Sequence, residues 1–145
     1  MIGTNGQNTS CRHSFFGPGR GPEGILMTLP ALADPPAIVV LCSCPDSSVA
    51  LDIAREVVTQ GLAACVNRLA PVTSIYRWEG RIHEESEQLL VIKTTPACYE
   101  ALEMRLKALH PFETPEIIAI PVVAGSAQYL DWLATATNPL SVPQP

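Results

Sequence analysis

The sequence predicts an α+β domain in which strands and helices follow the order βαββαβ. Short runs rich in β-branched residues alternate with stretches whose apolar residues recur at helical spacing. Two of the strands are joined by Glu79-Gly80-Arg81, and the glycine suits the positive φ that a tight hairpin needs. Prolines and glycines delimit the segments. This pattern is typical of a ferredoxin-like sandwich that carries its helices on one face of a sheet.

The first predicted strand covers residues 38–42, an apolar run that indicates a central strand buried on both faces. The first helix has Asp46 or Ser47 as its N-cap, because either side chain can accept a hydrogen bond from a free backbone N–H group. Gly61 is predicted to end this helix in the left-handed conformation. Apolar residues spaced four apart mark the buried helix face: Val49, Ile53 and Val57.

The rest of the domain is predicted to contain further strands, a second helix and a short C-terminal helix. Strands are expected at residues 62–69, 72–78 and 87–94, the last two forming a long hairpin. Pro96 opens the second helix, where proline is tolerated in the first turn. The buried face of that helix carries Cys98, Leu102, Leu106 and Leu109. Residues 116–120 form another strand buried on both faces, and Ser126 begins the C-terminal helix.

The two ends of the chain are predicted to lie outside the folded domain, which spans residues 37–137. Residues 1–36 hold five of the 14 prolines and six of the 9 glycines without periodicity, so we expect a disordered tail. Met27 is a candidate for the true start of translation. Residues 138–145 are expected to be frayed.

Charge and cysteine content argue against several classes of protein. The net charge is −5, and an acidic protein is repelled by the phosphates of nucleic acids and of anionic membranes. No apolar run reaches the length of a membrane span. The five cysteines are odd in number, have no repeated spacing and follow no secretory signal. We therefore expect reduced thiols in a cytoplasmic protein.

The predicted strands are apolar throughout, although a two-layer sandwich covers only one face of its sheet. A large exposed apolar face favours a partner. Because homo-oligomers usually close by symmetry, we expect self-association through this face and the long hairpin.

Several stretches together resemble one known family. They lie, in order, at residues 39–42, 61–67, 74–80, 93–94, 110–117 and 129–132. From Ala37 to Leu133 the chain thus resembles the CutA family of divalent-cation tolerance proteins. The resemblance implies a ferredoxin-like fold and a tightly packed homotrimer whose strands pair across subunits. It also implies an involvement in the tolerance of divalent metals such as copper.

Cys42 and His110 are the main candidate metal ligands. Cys42 is either a small buried hydrophobic residue or a soft thiolate ligand for copper, and some members of the family resemble this chain in having a cysteine there. Cys44 lies two residues on, so a regular strand places both thiols on the same side. His110 either caps the second helix or, by resemblance, contacts the metal. Where some members have two adjacent histidines, this chain has Leu109-His110.

The other cysteines and histidines are weaker candidates. Cys65 and Cys98 are interpreted as core residues. His83 follows the hairpin tip beside Glu84 and Glu85, and a solvated, charged shoulder is the default interpretation. Opportunistic metal binding at His83 is the alternative.

A separate set of aromatic and charged residues gathers, by the family resemblance, near clefts between subunits. These residues are Tyr76, Arg77, Trp78, Lys93, Glu113 and Glu116. They suggest a pocket for a small anion or a metal. The alternative is a lattice of salt bridges between subunits that fixes the trimer.

The sequence therefore favours a trimeric protein that binds copper or another divalent metal and requires no other cofactor. We expect no enzymatic activity, because no catalytic set is recognisable and only His110 with Glu113 offers an acid and a base. One alternative is a small-molecule sensor that uses clefts between subunits, an analogy of fold alone. Another is a stable structural trimer whose N-terminal tail docks a partner.

Overall fold

The computed structural model describes residues 35–137 of the chain. The predictions for the tail over residues 1–36, for a start at Met27 and for residues 138–145 fall outside this range, apart from Pro35 and Pro36. The elements are β1 (Ala37–Cys44), α1 (Ser47–Thr59), β2 (Cys65–Arg68), β3 (Val72–Trp78), β4 (Arg81–Thr94), a 3₁₀ turn (Pro96–Cys98), α2 (Tyr99–Leu109), β5 (Ile118–Val122) and α3 (Ala127–Ala136). None of the helices in the described range has the length and hydropathy that a bilayer span requires.

The sheet has the strand order β2-β4-β1-β5, and every pairing in it is antiparallel. β3 pairs with the first half of β4, from Val72 opposite Glu87 to Trp78 opposite Arg81. β2 pairs with the second half, so β2 and β3 together act as one interrupted strand alongside the long β4. The predicted ferredoxin-like α+β sandwich, with its long hairpin and short C-terminal helix, is confirmed.

The hairpin tip adopts the backbone conformation that its sequence predicts. Glu79 has a φ of 48° and Gly80 a φ of 77°. Two consecutive residues with positive φ match the twist of the flanking strands. The tip therefore fixes the register of the whole hairpin.

The core lies between one face of the sheet and the helices. In β1 the residues Ile38, Val40, Cys42 and Cys44 alternate with less buried neighbours. They pack with Leu90 and Ile92 of β4 against the apolar faces of α1 and α2. This alternation follows from the two-residue period of a strand, and it decides which thiols enter the interior.

The opposite face of the sheet, here called the open face, carries the apolar residues Val39, Leu41, Leu89, Val91, Ile118 and Ile120, with Ser43 and Lys93 on the same side. Ile118 is 50% exposed and Ile120 is 45% exposed. The prediction that the last strand is buried on both faces is therefore wrong for the single chain, and the strand begins at Ile118 rather than at Glu116. In β1 the open-face residues Val39 and Leu41 are only partly buried, because neither α1 nor α2 covers this face.

Two other strands differ in length from their predictions. β2 is shorter than residues 62–69, because Leu62 and Ala63 form the turn after α1 and donate their backbone N–H groups to the carbonyl of Val57. β4 is longer than residues 87–94, because the polar segment after the hairpin tip stays paired with β3. The limits of backbone pairing in β2 and β4 therefore differ from the limits of the apolar runs from which the strands were predicted.

Asp46 is the N-cap of α1, and its stabilising contribution is expected to depend on pH. Its carboxylate accepts hydrogen bonds from the backbone N–H groups of Val49, at 2.9 Å, and Ser48, at 2.8 Å. These bonds, with that from the Ser48 hydroxyl, lower the pKa of Asp46 below its ordinary value. A lowered folded-state pKa stabilises the fold above the unfolded-state pKa, and this contribution is lost as the pH falls through the folded-state pKa.

Asp46→Asn keeps a capping oxygen but removes the charge. We expect the variant to melt below the parent protein at pH 7 and the gap in Tm to narrow at pH 3, as measured by circular dichroism. An equal gap at both pH values would contradict a contribution from the ionised carboxylate.

Candidate functional site

Three potential metal ligands converge where the end of β1 meets the end of α2. Cys42 and Cys44 both point to the helix side of β1, as their spacing predicts. His110 is the first residue after α2. The Sγ atoms and a ring nitrogen lie within 4.8 Å of one another, and all three residues are buried. The structure thus brings together both main sequence candidates and adds Cys44 on equal terms.

The imidazole of His110 is fixed by two hydrogen bonds to the backbone. Its Nδ1 accepts the N–H of Phe112 at 3.1 Å, so its Nε2 carries the proton and donates to the carbonyl of Ser43 at 2.8 Å. The ring does not cap the carbonyls of α2, which was the alternative interpretation. A metal that binds His110 must displace one of these bonds, whereas the two sulfur atoms need no such exchange.

The two thiols influence each other's ionisation. Their mutual hydrogen bond raises the pKa of Cys42, and burial raises it further. The same bond lowers the pKa of Cys44, because it stabilises the thiolate there. The carboxylates of Glu116 and Glu87 also raise the pKa of Cys42. Both thiols must lose a proton before they bind a soft cation as thiolates.

A cavity of about 630 Å³ opens on the other side of β1. It is lined by Ser43, Ser74, Tyr76, Trp78, Glu87, Pro111, Phe112, Glu113, Thr114 and Glu116. Ser43 lies between the two cysteines in sequence and faces away from them. The cavity and the cysteine cluster are therefore separate sites that share one strand.

The cavity contains some of the predicted cleft residues and lacks others. Tyr76, Trp78, Glu113 and Glu116 line it within one chain, whereas the sequence placed them at a cleft between subunits. Arg77 and Lys93 do not line it. Arg77 pairs with Ile82 and points to the face of the hairpin opposite that of Tyr76 and Trp78. Lys93 lies at the far end of β4, where its Nζ is 3.5 Å from the Sγ of Cys65 and also contacts Asn67.

Glu87 and Phe112 are cavity residues that the sequence did not single out. Glu87 is the first residue of the run over 87–94 and shares a face with the apolar Leu89 and Val91. The sequence signal that could have identified Glu87 is a carboxylate on the same strand face as an apolar run. Phe112 lies in the loop after α2, and its ring contacts His110 with a centroid distance of 5.0 Å.

The remaining candidates lie outside both sites. His83 stacks on Tyr76 with a centroid distance of 5.3 Å, on the hairpin. Cys98 is buried, and its thiol donates to the carbonyl of Thr137 at 3.3 Å, as expected of a core residue. Cys65 is only half-buried, so it does not belong to the interior as fully as predicted.

A ferredoxin-like sandwich with a buried Cys/Cys/His cluster defines a small α+β protein with a potential soft-metal site. The family model described as "CutA1 divalent ion tolerance protein" matches residues 38–136. The chain belongs to this family. The divalent-cation tolerance protein CutA of Thermus thermophilus is 48% identical over 100 residues, which cover 69% of this chain and 97% of that protein.

Solved structures give the same result. The divalent cation tolerance protein (Cut A1) of Thermus thermophilus superposes with a TM-score of 0.69 at 47% identity and covers 70% of this chain and 99% of that one. CutA1 from Oryza sativa has a TM-score of 0.70 at 37% identity and covers 72% of this chain and 96% of that one. The shared fold therefore extends over the described domain.

Proposed function

We propose that this protein binds copper, as Cu(I), at the cluster of Cys42, Cys44 and His110 and thereby contributes to the response to metal ions. The convergence of these ligand atoms within 4.8 Å carries the proposal. Two thiolates are soft ligands that favour Cu(I) over hard cations such as Mg²⁺. Membership of a divalent ion tolerance family supports a role that involves metals.

The two cysteines are proposed as the primary ligands and His110 as the third. The thiols lie side by side in the interior, where a dry environment strengthens their attraction for a cation. The imidazole must first release the Ser43 carbonyl or the Phe112 N–H group. We therefore expect a larger loss of affinity from either cysteine than from the histidine.

An anaerobic Cu(I) titration against a competing chelator tests the proposal. Cys42→Ser and Cys44→Ser should each weaken binding by more than the roughly 100-fold that the loss of an outer-shell partner costs. His110→Ala should cause a smaller loss. Cys65→Ser is the matched control, because it removes a thiol outside the cluster, and its affinity should equal that of the parent protein. Equal affinity for Cu(I) in all four variants would show that copper does not bind at this cluster.

We also propose that the protein is a homotrimer assembled through the open face. The support is the apolar character of Ile118 and Ile120 at this face, together with the position of β5 and β3 at the edges of the sheet. An exposed apolar face and free strand edges favour pairing with another copy.

A binding protein of the cytoplasm, rather than an enzyme, fits this proposal best. The four cysteines of the described range are free thiols. Free thiols persist in a reducing compartment, which is also where Cu(I) is the stable form. The homologue of Archaeoglobus fulgidus, 31% identical, is described as a periplasmic divalent cation tolerance protein. Fractionation of cells therefore belongs with the copper titration.

A further inference from the structure

The two thiols of β1 are placed to react with each other as well as with a metal. Cys42 and Cys44 are both fully buried on the helix side of the sheet. They share a hydrogen bond, and their Sγ atoms lie within 4.8 Å of each other. Both are free thiols in this structure. Two thiols held side by side are the starting point of a disulfide, provided that the backbone lets the sulfur atoms meet.

The backbone separation of the pair lies at the edge of the range that a disulfide allows. Residues two apart on a strand have Cα atoms about 6.4–6.8 Å apart, at about 3.2–3.4 Å per residue. Disulfides join Cα atoms that are about 4.4–6.8 Å apart. Cys44 is the last residue of β1, and Pro45 after it has no N–H group that a ladder could hold. The end of the strand can therefore shift enough to let a bridge close.

A bridge at this limit of separation is also easily reduced. Strained disulfides have more oxidising potentials than relaxed ones, and they are typical of labile and regulatory bridges rather than structural ones. We therefore expect the pair to rest as two thiols and to become a disulfide only while an oxidant is present.

Access to the pair favours a small oxidant. His110 lies against both sulfur atoms and is only 7% exposed, and the ring of Phe112 contacts it. Hydrogen peroxide is scarcely larger than water, so local opening of the loop after α2 is sufficient to admit it. The pair lies on the helix side of β1, so the assembly proposed through the open face does not cover it.

We propose that a peroxide oxidises Cys42 and Cys44 to a reversible disulfide, which withdraws both sulfur atoms from the copper site. One thiol loses its proton and attacks a peroxide oxygen, which gives a sulfenic acid and a hydroxide that takes up the proton as water. The second thiol attacks the sulfenic sulfur, forms the S–S bond and releases a second water molecule. Two thiols and one hydrogen peroxide thus become one disulfide and two water molecules.

The consequence for copper rests on the proposed function. A disulfide has no thiolate to offer a metal, so of the three ligands only His110 is left. Ser43 lies between the two cysteines, and its carbonyl accepts the Nε2–H of His110 at 2.8 Å. Drawing the two flanking residues together moves this carbonyl. The oxidised site therefore lacks both thiolates and the fixed imidazole.

Mass spectrometry of the full chain after brief exposure to hydrogen peroxide tests the disulfide. The protein is denatured with N-ethylmaleimide, which blocks free thiols, and trypsin then releases residues 21–55, whose only cysteines are Cys42 and Cys44. We expect this peptide to lack two hydrogen atoms and to carry no blocking group, and dithiothreitol to restore both thiols. Cys44→Ser should show no such loss. Cys65→Ser is the matched control, because it removes a thiol outside the pair and should leave the bridge unchanged.

Two results from the parent protein would overturn the inference. One is a peptide with both thiols blocked after a peroxide treatment that oxidises free cysteine, and the other is a gain of oxygen atoms without loss of hydrogen. The oxidised protein is also titrated with Cu(I), before and after reduction and removal of the reductant. Its affinity should fall by more than about 100-fold and return on reduction. Unchanged affinity in the bridged protein would refute the switch.

The two proposals fail separately. A reduced parent protein that does not bind Cu(I) would refute the proposed function, whereas the mass of the peptide over residues 21–55 would still decide whether the disulfide forms.

Discussion

Replacing Ile120 with glutamate is expected to convert a trimer into monomers. Ile120 is 45% exposed at the centre of β5, opposite Val39 on the open face. In an assembly through this face the new carboxylate would be buried against apolar residues without a partner, which costs several kcal/mol (about 3–5 kcal/mol for an uncompensated charge). In the single chain the same carboxylate remains in water and costs little.

Light scattering coupled to gel filtration measures the outcome. The parent protein should elute with the mass of three chains of 15.6 kDa and Ile120→Glu with the mass of one. Met104→Glu is the matched control, since Met104 is 67% exposed on α2 and lies away from the open face. A trimeric Ile120→Glu protein with the parent's stability would show that the open face is not the interface. A monomeric parent protein would refute the assembly itself.

Local signals in the sequence were sufficient for most of the fold. Asp46 and Gly80 act through their own backbone neighbourhood, so capping and turn chemistry identified them without any knowledge of tertiary contacts. The helix faces followed from the spacing of Ile53 and Val57. The last strand was misjudged because an apolar run reports what a residue prefers, whereas its burial depends on whether another layer covers it.

The cluster of Cys42, Cys44 and His110 was predictable in part. Alternation along β1 placed Cys42 and Cys44 on one side, and the resemblance pointed to His110. The hydrogen bonds of the His110 ring were not predictable, because they depend on the path of the loop after α2 and on the carbonyl of Ser43. Because these bonds occupy both ring nitrogens, the two sulfur atoms are more available to a cation than the imidazole is.

The cavity shows how strand pairing selects among the residues that the sequence grouped. Lys93 was grouped with Trp78 at a cleft between subunits; within one chain it lies six residues beyond Glu87 on β4, about 20 Å away at 3.3 Å per residue, so the single chain does not bring the two together. Arg77 adjoins two cavity residues in sequence and for that reason faces the other way. Strand pairing, which sequence alone did not supply, thus decides which of these residues one chain brings together.

Leu102→Ala is expected to lower the free energy of unfolding by about 3 kcal/mol, within the range measured for leucines in cores. Leu102 is fully buried on α2 and belongs to the cluster that packs the helices on the sheet. Alanine removes the buried methyl groups and leaves a cavity that the rigid sheet cannot fill. Urea unfolding followed by circular dichroism at one fixed protein concentration measures the change, because the stability of an oligomer depends on concentration.

Met104→Ala controls for helix propensity and for the loss of an apolar side chain at the surface. Met104 lies two residues along the same helix, is largely exposed, and should change the free energy of unfolding by less than about 0.5 kcal/mol. A similar loss in both variants would contradict the packing argument, because alanine is the best helix former and neither substitution weakens the helix by propensity. A loss confined to Leu102→Ala would show that the packing of α2 against the sheet, through its buried face, carries this part of the stability.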